Sequence, residues 1–484
     1  MNYIIGIDQS TQGTKAVLFD EEGVLVKRVD VKHRQWIDEN GWVSHDINEI
    51  YQNVILSVEK VVKEAGAPRN SIAAVGISNQ RETTAAWNHD GTPLGKAVVW
   101  QCSRAKEITD KMQDLAAVVK DKTGLPLSPY FPAAKMAWLI RNTIKESGAK
   151  DYLLGTMDSW LVYKLTSGKS YKTDYSNASR TQLLNLHSLQ WDVELCEMFG
   201  VPLKSLPELA DSNSVFGYTD FEGVLQAPVP IHCVLGDSHG ALFGQGCHKK
   251  GMIKTTYGTG SSIMMNIGEE FRASTCGLAT SLAWSMDGSV TYVFEGNINY
   301  TGAVVTWLQE DMGLVRSTVE LEKAVEHANK KDTTVLIPAF SGLSAPYWND
   351  RAKAMIYGMT RTTGKNEVIK AGLESIAYQI KDVLDAMEKD SQIKIKELRV
   401  DGGPTKNKYL MQFQSDIADV TVSIPQWEEL SAIGAAYMAG ISQGIYQKDT
   451  VFAKDKRIYF KAGMKPEERF EKCRNWEAAI SLLR

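Results

Sequence analysis

The chain has 484 residues, 43% of them hydrophobic and 23% charged, a balance that supports a sizeable folded core and excludes wholesale disorder. With 54 Lys and Arg against 58 Asp and Glu, the net charge is −4, which excludes a general nucleic-acid-binding surface. No apolar run approaches the roughly 20 residues of a membrane span, and the opening Met1–Asp8 reads as a first strand rather than a signal peptide.

Tyr3–Ile7 is a short apolar run, 8–14 a polar turn, 15–19 apolar again, and 23–29 a third run after a second turn. Three strands joined by short turns predict an antiparallel meander. Apolar residues at Ile50, Val54, Ile55, Val58, Val61 and Val62 predict a helix over 47–65. Residues 72–77 then read as a buried strand ending in a polar turn, 78–82. This order predicts a mixed sheet covered by helices.

The second half repeats the rhythm. Strands at 231–235, 252–257 and 261–266 alternate with the turns 236–240 and 258–260, with a helix from Ala241, and a last helix starts at Pro466. The Asp8 turn and the Gly258 turn are similar polar tips, so two copies of one α/β unit are expected to face each other. Length alone suggests about three domains; the motifs reduce this to two, 1–246 and 247–484. Six cysteines without a C-x-x-C pair exclude a zinc ribbon and a thioredoxin-like motif, and predict reduced thiols in the cytoplasm.

Glycine- and threonine-bearing turns after a strand expose backbone N–H groups with little side-chain bulk, which suits phosphate, although an ordinary hairpin uses the same residues. Asp8 at a strand end could hold Mg²⁺, and Lys15 could neutralise a phosphate. No G-x-x-x-x-G-K-[ST] occurs, so Walker-A chemistry is excluded. Asp237 follows a strand and opens a helix, so it reads either as an N-cap or as a general base for a hydroxyl nucleophile. Arg81 and Glu82 could donate to and accept from neighbouring hydroxyls, or form a solvated salt-bridging loop. Trp100 and Tyr130 could wall a pocket or simply fill the core. Asp401-Gly-Gly403 could bring backbone close to a flat ligand such as adenine, or be a plain turn.

Further stretches stand in the same order: Gly76–Thr84, Val99–Cys102, Tyr130–Trp138, Thr173–Arg180, Thr256–Gly260, Pro338–Trp348, Leu373–Tyr378, Val400–Gly403 and Met411–Asp416. With Gly6-Ile-Asp-Gln9 and Gly236-Asp237, the chain resembles the FGGY carbohydrate kinases over nearly its whole length, and their glycerol kinase branch above the others. The resemblance implies an α/β fold of two actin- and hexokinase-like (ribonuclease H-like) domains flanking a catalytic cleft. It implies transfer of the γ-phosphoryl group of ATP to a hydroxyl of a polyol or sugar with Mg²⁺, in a cytoplasmic homo-oligomer, a dimer. By position it makes Asp237 the base, and Asp8 and Asp237 the metal-associated carboxylates. Arg81, Glu82, Trp100, Tyr130, Asp237, Ser238 and Ser262 fall in the acceptor pocket. Thr11, Gln12 and Lys15, with Gly258, Thr259 and Gly260, fall on the phosphates, and Gly402, Gly403 and Asn407 on the adenosine side.

Two positions depart from that branch. Ser238 stands where its members typically carry Gln, and Ser262 where they carry Phe. Less bulk and more hydroxyl predict a wider, more polar pocket for a polyol or ketose of about four to six carbons, with glycerol itself as the alternative. A non-kinase actin-like ATPase would share the two turns but would have no use for Arg81, Glu82, Trp100 and Asp237 in this pattern.

Overall fold

The computed structural model describes residues 2–483. Strands β1 (Tyr3–Gln9), β2 (Gly13–Phe19) and β3 (Leu25–Lys32) form the antiparallel meander, the third starting two residues later than the sequence pattern suggests. Helix α1 (Ile47–Ala65) begins where Asp46 accepts from the backbone N–H groups of Asn48 and Glu49, and ends at Gly66 in the left-handed region (φ 64°). β4 (Ile72–Asn79) returns parallel to β1. Between β4 and the next strand of this sheet lies an insert with helix α2 (Pro132–Leu139). A separate five-stranded sheet joins Trp36–Ile37, Val43–His45, Thr84–Trp87, Ala97–Val98 and Leu153–Thr156. β5 (Gly217–Thr219) and β6 (Val229–Gly236) complete a six-stranded sheet in the order β5-β6-β4-β1-β2-β3, and helix α3 (Asp237–Gly244) leaves the end of β6.

The second lobe uses the same plan. β7 (Ile253–Tyr257) and β8 (Ser261–Gly268) form a hairpin; β9 (Ala279–Met286) and β10 (Ser289–Ile298) extend it antiparallel. Helix α4 (Lys365–Ser391) leads to β11 (Glu397–Gly402), which runs parallel to β7. Helix α5 (Lys408–Ala418), β12 (Thr421–Pro425), helix α6 (Leu430–Ser442), β13 (Arg457–Phe460) and helix α7 (Pro466–Ser481) finish the chain. The sheet order is β9-β10-β8-β7-β11-β12-β13. In both lobes the first strand therefore has an antiparallel hairpin partner on one side and a parallel strand on the other. That places the hairpin tips, after Asp8 and after Tyr257, at equivalent strand ends.

β1 is apolar from Ile4 to Ile7 because both its faces are covered there. Ile5 and Ile7 pack with Ile50 and Val54 of α1, while Ile4 packs with Ala432 and Ala436 of α6. Helix α6 comes late in the sequence yet lies on the first sheet. A Cβ on Gly6 would stand 2.6 Å from the Ala432 carbonyl oxygen, and one on Gly76 2.1 Å from that of Ala435. The run Ser-Ala-Ile-Gly-Ala-Ala from Ser431 to Ala436 keeps the helix thin enough for this approach.

Candidate active site

β6 runs to Gly236, whose extended backbone (φ −63°, ψ 146°) is the N-cap of α3, so Asp237 is the first helical residue and its side chain is not a cap. The N-cap alternative for Asp237 therefore does not hold. Its carboxylate accepts from its neighbour's backbone, Ser238 N–H, at 2.6 Å and lies 3.2 Å from Arg81 Nε. Gly236 makes room for this: a Cβ there would meet Arg81 Cδ at 2.7 Å and His239 Nδ1 at 2.9 Å.

Arg81 and Glu82 are 6% and 2% exposed, so the solvated-loop alternative fails as well. They sit after β4 in a buried charge chain. Arg81 donates through both terminal nitrogens to Glu295 (3.1 and 2.9 Å), in the two-pronged geometry that favours arginine. Arg180 pairs with Glu82 and with Glu295, each at 2.7 Å. Burial pushes the Glu295 carboxyl up, but the Arg180 and Arg81 guanidiniums outweigh it and hold the group well below the usual carboxylate range. Glu82 has φ 59°, a left-handed conformation unusual for a side chain with a Cβ, of the kind that clusters at functional sites.

Trp100 and Tyr130 meet edge to face with centroids 5.6 Å apart. Trp100 Nε1 donates to Thr11 Oγ1 at 2.9 Å, tying this wall to the first hairpin tip. The Tyr130 carbonyl accepts from Lys135 of α2, a fully buried lysine whose pKa burial pushes down to about 7, against the opposing Glu82 charge. Ser262 Oγ lies 3.4 Å from Glu295, next to Asn297 Nδ2, which donates to the same carboxylate at 3.2 Å.

At the first tip, Asp8 is buried at the end of β1, with Lys15 Nζ 3.6 Å away. Burial lifts its pKa to about 6; Lys15 opposes this, and the Asp237 and Glu429 charges add to it. Lys15 does not stand free: it donates to Glu429 at 2.9 Å. Gln12 is exposed, and its carbonyl accepts from His33 N–H. At the second tip, Gly258 N–H donates to the Gly260 carbonyl at 2.7 Å, and the carbonyls of Gly258 and Thr259 accept from Gly302 and Thr301. Gly402 (φ 101°) is required by the neighbouring strand, since a Cβ would lie 2.0 Å from the Tyr257 oxygen, whereas Gly403 faces open space. Asn407 is the N-cap of α5, accepting from Leu410 N–H at 2.9 Å.

Asp8, Lys15, Asp237 and Gly402 line one cavity of about 260 Å³ between the lobes, together with Ser238, Thr256, Asp401 and Glu429. Sequence reasoning left Glu295, Glu429 and His239 without a role. Arg180 was legible only as the end of a matched stretch. His239 is fully buried with neither ring nitrogen partnered, and burial with the Arg81 charge holds its pKa far down, so the imidazole is neutral.

Two lobes built on one strand plan around a carboxylate-lined cleft make a two-domain α/β architecture whose activity is carried by its site. Residues 3–244 match the N-terminal domain of the FGGY family of carbohydrate kinases, and 253–443 its C-terminal domain. The chain is 44% identical to glycerol kinase 1 of Thermotoga maritima over 99% of both chains. It is 42% identical to the glycerol kinase of Bacillus velezensis, over 99% of this chain and 98% of that one. It superposes on the ADP-bound glycerol kinase of Plasmodium falciparum with a TM-score of 0.92 at 34% identity, covering 100% of this chain and 98% of that one. The xylulose kinase of Lactobacillus acidophilus shares the fold, with a TM-score of 0.90 at 21% identity over 100% of this chain and 98% of that one. The chain belongs to the FGGY family of carbohydrate kinases: it is an ATP-dependent phosphotransferase acting on a polyol or sugar hydroxyl. Among the described residues no helix is long and apolar enough to cross a membrane.

Proposed function

We propose that Asp237 is the general base that takes the proton of the acceptor hydroxyl as that oxygen attacks the γ-phosphorus of ATP. The observation that carries this reading is the Asp237 carboxylate at the cleft wall, 3.2 Å from a buried arginine and free of capping duty. Arg81 and Glu82 orient the acceptor hydroxyls, Trp100 and Tyr130 wall its carbon chain, and Ser238 and Ser262 give the pocket width. Thr11, Gln12, Lys15, Gly258, Thr259 and Gly260 receive the phosphates; Gly402, Gly403 and Asn407 receive the adenosine. On this reading residues 1–246 carry the acceptor site and 247–484 the nucleotide site.

The donors around Asp8 suit Mg²⁺: carboxylate and hydroxyl oxygens, with no thiolate or imidazole in the cavity. Among the described residues no three His, Cys, Asp or Glu side chains lie close enough to hold an ion by themselves. Asp8 and Asp237 would therefore hold it together with phosphate oxygens and water. When bound, Mg²⁺ offsets charge on the phosphates.

The acceptor is a polyol or ketose of about four to six carbons, because the small Ser238 lines the cavity next to Asp237 and the Ser262 hydroxyl lies 3.4 Å from Glu295. Glycerol is the second reading, favoured by whole-chain identity to proteins named glycerol kinases. A coupled ADP-release assay over glycerol, erythritol, pentitols and ketoses separates the two. The longer acceptors are expected to give the higher kcat/KM, and glycerol far ahead of the rest overturns the first reading.

A cytoplasmic homodimer completes the proposal. It is supported by six unpaired cysteines and by the edge strand β13, where Ile458 and Tyr459 are exposed. Light scattering that gives the mass of one chain would count against the dimer.

A further inference from the structure

We propose that Glu429 is a positioning residue that sets where the Lys15 ammonium meets the transferred phosphoryl group; this rests on the reading of Lys15 as a phosphate contact. Glu429 is buried at the N-cap of α6, and each of its oxygens faces a different cation. Oε2 accepts from Lys15 Nζ at 2.9 Å, and Oε1 pairs with Arg28 Nη1. Arg28 is itself fixed by two hydrogen bonds to Asp30, at 2.9 and 3.0 Å. Lys15 is a point charge on a flexible four-carbon stem, so its place in the cleft is decided by what holds it. Asp8 is 3.6 Å away and only half-serves, whereas Glu429 is closer and anchored from behind.

The same turn of chain also holds the base. Ser431 Oγ donates to the Asp237 backbone oxygen at 3.0 Å. Gly434 meets Gly240 so closely that a Cβ on it would lie 1.9 Å from the Gly240 oxygen. The start of α6 thereby fixes the distance between Asp237 and Lys15, although one opens helix α3 and the other lies on strand β2. The cavity also holds Asp8, Asp237, Asp401 and Glu428. One more carboxylate there adds repulsion toward phosphate, a cost that makes sense when its cation is placed in return.

The test is steady-state kinetics on the full chain with ATP and each of glycerol, erythritol and xylitol. The variants are Glu429→Gln, Lys15→Met, the double variant and Arg28→Met. Glu429→Gln is expected to lower kcat about 10- to 100-fold, with the acceptor KM within about twofold, since small misplacements of reacting groups cost this much. The double variant should be no slower than Lys15→Met alone, because both act on one interaction. Arg28→Met, which removes the anchor but leaves the Lys15 contact in place, should lower kcat in the same direction by clearly less than Glu429→Gln does. Glu429→Gln at wild-type kcat overturns the proposal. So does a double variant whose loss is the product of the single losses, or Arg28→Met matching Glu429→Gln, which marks a purely structural lock. If Glu429→Gln does not fold, Glu429→Asp takes its place, with the charge kept and the reach shortened, and the same criteria. If Lys15→Met is itself fully active, the reading of Lys15 fails instead.

Discussion

Glu82, Arg180, Glu295, Arg81 and Asp237 form a line of charge from the interior to the cleft wall, and each is tolerable there only because the next is present. Asp237 is the member that reaches the cavity. Asp237→Asn keeps its shape and removes its basicity; kcat should fall about 10²- to 10⁴-fold with the KM for ATP near wild type, measured by ADP release. Asp8 gives a second prediction, with a definite sign. Its native pKa of about 6 lies above the ordinary 3.8. The stability contributed by its neutral form is complete below pH 3.8 and is lost as pH rises through about 6. At pH 7 the ionised carboxyl therefore costs folding on the order of 3 kcal/mol. Asp8→Asn should raise the melting temperature at pH 7, leave it unchanged near pH 3, and abolish most activity. A lower melting temperature at pH 7 would show that Lys15 outweighs burial. In the wild type, kcat/KM should fall as pH drops through about 6, where Asp8 takes up its proton.

The hairpins and α6 do most of the arranging at the level of elements. Each hairpin tip follows a strand that is paired on both sides, so the turn is held in place at the strand end. Helix α6 brings a charged N-terminus to one tip and packs by glycine and alanine against both the first sheet and α3. A single methyl in that contact has nowhere to go. Gly434→Ala should cost at least about 1–3 kcal/mol and reduce kcat, because α3 carries Asp237. Thermal unfolding and kinetics check this together, and an unchanged melting temperature would mean that α3 and α6 can separate without loss.

For the whole molecule, the cleft sets what may receive the phosphoryl group. Water is smaller than any polyol and is present at far higher concentration, so the lobes must assemble the site only around the acceptor. ATP turnover without polyol or sugar should be at least about 10²-fold slower than with it, in the same ADP-release assay. Equal rates would show that the cleft does not discriminate against water.

The elements and the repeat were legible in the sequence because they rest on local rules. Apolar periodicity marks α1 to the residue, and polar glycine-bearing turns mark both hairpin tips. Neighbours in space were not legible. Arg180 and Glu82 are 98 residues apart, Arg81 and Glu295 are 214, and Lys15 and Glu429 are 414. No spacing rule reaches so far. The sequence by itself therefore determined the two-fold α/β plan and the strand ends from which polar side chains emerge, since these depend on residues within one turn or strand. Tertiary structure alone decided that Arg81 is buried, that Glu295 and Arg180 support it, and that Lys15 is held by a carboxylate from the far end of the chain. Burial and charge pairing depend on three-dimensional distance, which follows only once both sheets have been covered and brought together.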